Sequence, residues 1–178
     1  SRGLGDVYKR QIGYDITSEK ALFLREMMKG SDTTPGPSRI LLYRPEGTGG
    51  VKASATIGQL TVTALYTGIR GNDITVVVSE EPDAGGSYTV KTVIDGTEKD
   101  SQTITDLSKL VANAWVSFSG TGTTVEETAG TALTGGTDPT VAAADYAAFL
   151  TAIEPYQFDI LVYDGTDATT IQAFAAFA

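Results

Sequence analysis

The stretch LTVTALYTGIRGNDITVVV, Leu60–Val78, decides how the chain is read. Leu60, Val62, Ala64 and Tyr66 fall on one face and Thr61 and Thr63 on the other, the period of two expected of a half-buried strand. TGIRGND then breaks the run. Gly68 and Gly71 permit positive φ, Asn72 tolerates it, and a second β-forming run follows over Asp73–Glu80. Two strands joined by a tight connection set the texture from Gly47 to Gly136, where Thr, Val and Gly dominate; Thr supplies 26 of the 178 residues. Further strands are expected at Lys52–Ile57, Ser87–Ile94, Lys99–Ile104 and Trp115–Ser119. Asp95-Gly96 has the chemistry of a type I′ hairpin turn, and Asp106 is placed to cap a short helix at Leu107–Ala112.

On both sides of this block the pattern changes. Ser18–Lys29 reads as a helix, with Ser18 at its N-cap and Gly30 just past its end. After the helix-forbidding SDTTPGPS, Arg39–Arg44 (RILLYR) is an apolar run without alternation, the pattern of a strand covered on both faces. Val141–Glu154 reads as the best helix of the chain, with Tyr146, Phe149, Leu150 and Ile153 on one face until Pro155 stops it. Phe158–Tyr163 (FDILVY) is a second apolar run, and Asp164-Gly165-Thr166-Asp167 turns into a helix starting near Ala168. The expectation is an α+β protein. A parallel-type α/β layer, discontinuous over 12–47 and 138–178, carries Arg39–Arg44 and Phe158–Tyr163 as neighbouring strands. A mostly antiparallel, Thr/Gly/Val-rich insertion occupies 48–137.

Ser1–Gln11, SRGLGDVYKRQ, has no amphipathic period, and its GDVYKRQ resembles translated adapter sequence; residues 1–11 are set aside as a scar. The chain starts at Ser1 and stops within an apolar pattern at Ala178, so both ends read as cut. No stretch reaches the ~18 apolar residues of a membrane span.

Composition excludes much chemistry. The chain has no Cys and no His, which removes thiolate nucleophiles, disulfides, His-based triads and imidazole metal ligands. Its net charge of −9 is unsuited to phosphate-backbone binding. Charge is also uneven: residues 1–60 carry nine Lys/Arg and six Asp/Glu, net +3, against four and sixteen, net −12, in 61–178. Such an acidic face associates best with a basic one. The first third of a neighbouring copy would offer it, and association insensitive to salt would remove this reading.

No phosphate-binding GxxxxGK[ST] occurs, and Gly47–Gly50 and Gly120–Gly122 read as turn glycines. Asp164-Gly165-Thr166-Asp167 is the most tempting acidic cluster, at the end of an expected strand. Ala168 spoils an adhesion-type metal motif and Thr166 a phosphatase-type one, so the turn-and-cap reading is preferred. Glu80-Glu81 and Glu126-Glu127 are adjacent pairs whose side chains diverge in an extended chain. Trp115 and the eight Tyr read as core or interface residues. No catalytic, cofactor-binding or metal-binding residue is expected.

Three stretches in order carry a resemblance: ALYTGIRGNDITVVV at Ala64–Val78; LTGGTD at Leu133–Asp138 leading into DYAAFLTAI at Asp145–Ile153; and Phe158–Tyr163 with its following helix. Together with Ser18–Lys29, RILLYRPEG and VKASATIG, they look like the tail sheath protein of contractile-tailed phages, including sheaths of defective prophages and phage-tail-like bacteriocins. The resemblance covers about 12–178 and makes Gly68, Arg70, Gly71, Asn72, Gly135, Gly136 and Asp138 the family-motif residues. Arg70 either pairs with a carboxylate, within the subunit or across to a neighbour, or is a solvated turn residue. The resemblance implies a non-enzymatic structural subunit, without cofactor, in the virion tail. Such subunits are assembled in the bacterial host cytoplasm, polymerise with copies of themselves around the inner tail tube, and are triggered by the baseplate to contract. It implies no nucleic-acid partner and no membrane insertion. A 178-residue piece lacking terminal arms is expected not to build native sheath. The competing reading is a non-catalytic surface or carbohydrate-binding β-rich module.

Overall fold

Alternation of apolar with hydroxyl-bearing residues builds the larger part of the structure. The computed structural model describes residues 13–14, 16–83 and 85–178; the scar expected at 1–11 lies outside them. The described residues divide into two compact units. One is drawn from the chain up to Pro45 together with Ala142–Ala178, and the other is Glu46–Val141.

The Glu46–Val141 unit holds strands β1 (Lys52–Ile57), β2 (Leu60–Thr67), β3 (Ile74–Glu80), β4 (Tyr88–Ile94), β5 (Thr97–Ile104), β6 (Val116–Ser119) and β7 (Thr128–Ala132). They form two antiparallel sheets ordered β1-β2-β6 and β5-β4-β3-β7. The period of two decides which residues enter the core. Leu60, Val62 and Ala64 of β2, Ile74, Val76 and Val78 of β3, and Val90 and Ile94 of β4 are all buried in one continuous cluster that draws on both sheets. Burying each of the Leu, Ile and Val side chains among them contributes about 1.5–3 kcal/mol. Thr92 points inward with them and is fully buried; its hydroxyl accepts a hydrogen bond from Asn113 Nδ2 at 2.9 Å, which removes the penalty of an unpaired buried oxygen.

The α+β class holds, and six strands lie within two residues of their expected bounds. β7 was not expected. Its sequence TAGTA has no apolar alternation, and only its register against β3 (Thr75↔Ala132, Val76↔Thr131, Val78↔Thr128) makes it a strand. At the β4–β5 hairpin, Asp95 and Gly96 have φ of 52° and 70°, the two positive angles that a type I′ turn requires. The expected helix Leu107–Ala112 closes only one 3-10 turn, Leu107–Lys109. Asp106 does cap it, accepting from Ser108 N at 2.8 Å. Continuation is prevented because Gln102 captures the Val111 backbone in both directions, Nε2 to O at 2.8 Å and N to Oε1 at 3.0 Å.

The two ends of this unit run side by side. Thr48 bridges Thr140, Val51 bridges Thr137 and Ser54 bridges Thr134, all antiparallel. Each pair exchanges two backbone hydrogen bonds, 2.8–3.1 Å long. Leu133, at the corner between β7 and this returning segment, is fully buried.

The other unit contains α1 (Leu22–Lys29), α2 (Ala143–Ile153) and α3 (Ala168–Phe177). The first expected helix starts as a 3-10 turn, Glu19–Ala21, with Ser18 Oγ accepting from Lys20 N at 3.2 Å. Arg39–Arg44 and Phe158–Tyr163, expected as strands, form none in this structure. A ladder needs a partner strand, and among the described residues neither run has one. Leu41, Leu42, Phe158, Ile160 and Val162 are exposed. Aromatic contacts take over locally: Tyr43 lies 4.9 Å from Phe149, and Tyr163 lies 5.1 Å from Tyr146 and 5.3 Å from Phe174.

Candidate functional site at the Gly68–Asn72 turn

Between β2 and β3 the chain makes a 3-10 turn, Ile69–Asp73, entered through Gly68 at φ 129°. A side chain at this φ is strained, which explains the glycine. The turn is short because both strands it joins are pinned into different sheets. Its exposed backbone groups are taken up by the returning segment before α2. Ile69 N donates to Asp138 Oδ1 at 2.9 Å. Asn72 makes a reciprocal pair with Gly136, donating from Nδ2 to the carbonyl at 3.0 Å and accepting the N–H at Oδ1 at 2.8 Å. An amide side chain can satisfy both groups of one peptide position in this way, and aspartate cannot, because it has no donor.

Two glycines permit the close approach. A Cβ on Gly136 would lie 2.5 Å from the Gly68 carbonyl and 3.0 Å from Asn72 Oδ1, and one on Gly71 would lie 2.8 Å from the Ala53 Cβ. Gly135, at φ 79°, supplies the bend before it. All seven motif residues are thereby brought together: Gly68, Arg70, Gly71 and Asn72 on the turn, and Gly135, Gly136 and Asp138 on the strand-like return.

Arg70 leaves the turn on another side. Its guanidinium forks onto Asp95, with Nη1 to Oδ1 at 2.9 Å and Nη2 to Oδ2 at 2.6 Å, and Nη1 also reaches Asp73 Oδ2 at 2.8 Å. The hydrogen bond to Asp95 raises its pKa most; partial burial opposes this and Asp73 adds to it. The pairing is therefore within the chain and ties the turn to the β4–β5 hairpin. Asp95 lies 25 residues away, so no local pattern pointed to it.

The acidic sequences behave as turns and caps. Asp167 Oδ2 accepts from Thr170 N at 2.7 Å and from Thr170 Oγ1 at 2.8 Å, and these bonds hold its carboxyl below the ordinary range. Glu80 accepts from Gly86 N while Glu81 accepts from the Thr89 hydroxyl, so the pair diverges. Among the described residues no group of three acidic side chains is arranged to hold a metal ion, and no helix is long and apolar enough to cross a membrane. One open depression of about 680 Å³ is lined by Gln59, Leu107, Ser108, Leu110, Phe118 and the 119–121 segment. It contains no ionisable side chain.

The arrangement is one of backbone clasps and ion pairs, which fix the geometry of the turn. Residues 48–138 match the phage tail sheath protein beta-sandwich domain. In Bacillus subtilis (strain 168), the uncharacterized protein YqbK is 36% identical over 187 residues and the phage-like element PBSX protein XkdK is 34% identical; in each case 94% of this chain and 38% of the relative are covered. The solved sheath tail protein of Desulfitobacterium hafniense superposes with a TM-score of 0.83 at 40% identity, covering 96% of this chain and 39% of that one. That of Listeria innocua gives 0.77 at 31% identity, covering 97% and 38%. The chain thus spans under two fifths of the length of these relatives. With the family domain matched over 48–138, nearly all of the β-rich unit, the chain belongs to the phage tail sheath protein family.

Proposed function

We propose that this chain forms part of a contractile tail sheath subunit. The parent subunit polymerises with its own copies around an inner tail tube, and on a signal from the baseplate it contracts to drive that tube through a cell envelope. The work comes from subunit interfaces, without catalysis or cofactor, and assembly takes place in the host cytoplasm before the tail enters the virion or prophage-derived particle. In this reading 48–137 is an insertion into a core built from 12–47 and 138–178. Arg39–Arg44 and Phe158–Tyr163 become neighbours in a parallel layer once further chain covers them. The seven motif residues hold the insertion closed on itself.

The observation that carries the proposal is the superposition of nearly the whole chain on solved sheath tail proteins, at 0.83 and 40% identity in the better of the two. The paired ends of the β-rich unit support the insertion, because a module inserted in a host chain must return that chain close to where it left it. The test is a chimaera in which this chain replaces the matching part of the Desulfitobacterium hafniense sheath tail protein. Negative-stain electron microscopy of the product should show tubes of stacked rings like those of the unaltered parent. A folded chimaera that stays dispersed while the parent assembles would sink the proposal.

A further inference from the structure

Asp-Gly occurs twice in the chain, each time followed by Thr and an acid: Asp95-Gly96-Thr97-Glu98 and Asp164-Gly165-Thr166-Asp167. The sequences are nearly equivalent in intrinsic chemistry, and the fold treats them very differently. An aspartate before glycine is open to attack by the following peptide nitrogen, because glycine has no side chain to obstruct the approach. The nitrogen forms a bond to Cγ and gives up its proton, and the carboxyl C–O bond breaks with loss of one water. Water then reopens the succinimide at either carbonyl. One product is aspartate again; the other is isoaspartate, whose main chain runs through Cβ and Cγ. No oxidant, metal or cofactor takes part.

Asp95 is held out of this reaction. Both carboxylate oxygens are engaged by the Arg70 fork at 2.9 and 2.6 Å, which favours the ionised form, and an ionised carboxylate is a poor electrophile. Its backbone is fixed as well, at φ 52° with Gly96 at 70°, between the paired residues Ile94 and Thr97. Asp164 has neither restraint. It and Gly165 are exposed and lie outside helix and strand. Among the described residues no hydrogen bond is made to its carboxylate or by the Gly165 N–H.

We infer that Asp164 is a site of spontaneous isoaspartate formation in the folded chain and that Asp95 is protected by Arg70 and its hairpin. Isomerisation inserts one extra backbone carbon three residues before the Asp167 cap of α3, so the damage falls on that helix start.

The 178-residue chain is held in mildly acidic buffer at a warm, non-denaturing temperature, sampled over time, and mapped by peptide mass spectrometry with fragmentation that separates the isobaric products. In the folded chain isoaspartate should accumulate at Asp164 at least about tenfold faster than at Asp95, equal to ~1.4 kcal/mol in barrier height. In concentrated urea the two rates should converge. Arg70→Lys replaces the fork with a single point charge and should speed the reaction at Asp95 while leaving Asp164 unchanged. If that variant unfolds, the comparison of the folded with the urea-treated natural chain decides alone. Equal rates in the folded chain, or a faster Asp95, overturn the inference. So does a difference that persists in urea, because it would then belong to the sequence and not to the fold.

Discussion

Asn72 satisfies both backbone groups of Gly136 with one side chain, at a place where Gly136 is buried. Removing the amide leaves an orphaned N–H and an orphaned C=O, each of which costs more than the hydrogen bond was worth. Asn72→Ala is expected to lower the stability of the β-rich unit by about 2 kcal/mol, read as a lower urea midpoint at unchanged slope. Asn72→Asp keeps the acceptor and loses the donor, so roughly half that loss is expected. A midpoint unmoved by both substitutions would mean that water replaces the clasp without cost. Arg70 contributes differently. Its side chain is 23% exposed and its partners Asp73 and Asp95 are 52% and 61% exposed, so solvent screens the charge and the forked geometry supplies most of what the pair adds.

Elements with a buried face were readable from the sequence because the period of two survives in the burial itself: β2 and β3 alternate along almost their whole length. The motif turn was readable through its glycines. What could not be read has a physical cause in each case. β7 is held by a partner strand and not by its own pattern, the helix after Asp106 is cut short by Gln102, and Arg39–Arg44 and Phe158–Tyr163 have the composition of strands without a ladder to join. Helix caps were legible because their bonds reach only two or three residues along the chain. The caps also titrate. Asp106 and Asp167 both have pKa values lowered first by hydrogen bonds from the helix start. Each therefore stabilises its element above the unfolded carboxyl value of about 3.9, and that contribution is lost as pH falls through the lower folded value. Far-ultraviolet circular dichroism between neutral and strongly acidic pH should show α3 fraying in this acid window, and Asp167→Ala should remove that step by fraying the helix start at all pH values. An identical acid profile in the variant would show that Asp167 is not the group responsible.

At the scale of the molecule, the two units differ in how much they bury. Fourteen apolar residues form one core in the β-rich unit. Among the described residues of the other unit, only Ala21, Leu24, Ile153 and Phe174 are buried apolar positions. Hydrogen exchange should follow this division. The amides of Val62, Val76, Val78 and Val90 are expected to be the slowest, while those of 39–44 and 158–163, outside any ladder, should exchange near the unfolded rate. Protection of the latter two runs equal to that of the core strands would show pairing that this structure lacks. The side-by-side ends of the β-rich unit have a mechanical consequence as well. Both flanking chains leave from the Thr48–Thr140 pair, so a pull that separates them meets the bridges one at a time, first Thr48–Thr140, then Val51–Thr137, then Ser54–Thr134. That is a zipper and not a shear contact, and it yields at low force from the outside inward. The side-chain clasp from Asp138 to Ile69 sits behind the first tooth and that from Asn72 to Gly136 behind the second. Tension on the linkers is therefore spent first on the Thr48–Thr140 and Val51–Thr137 bridges, before it reaches Ala53 of the core.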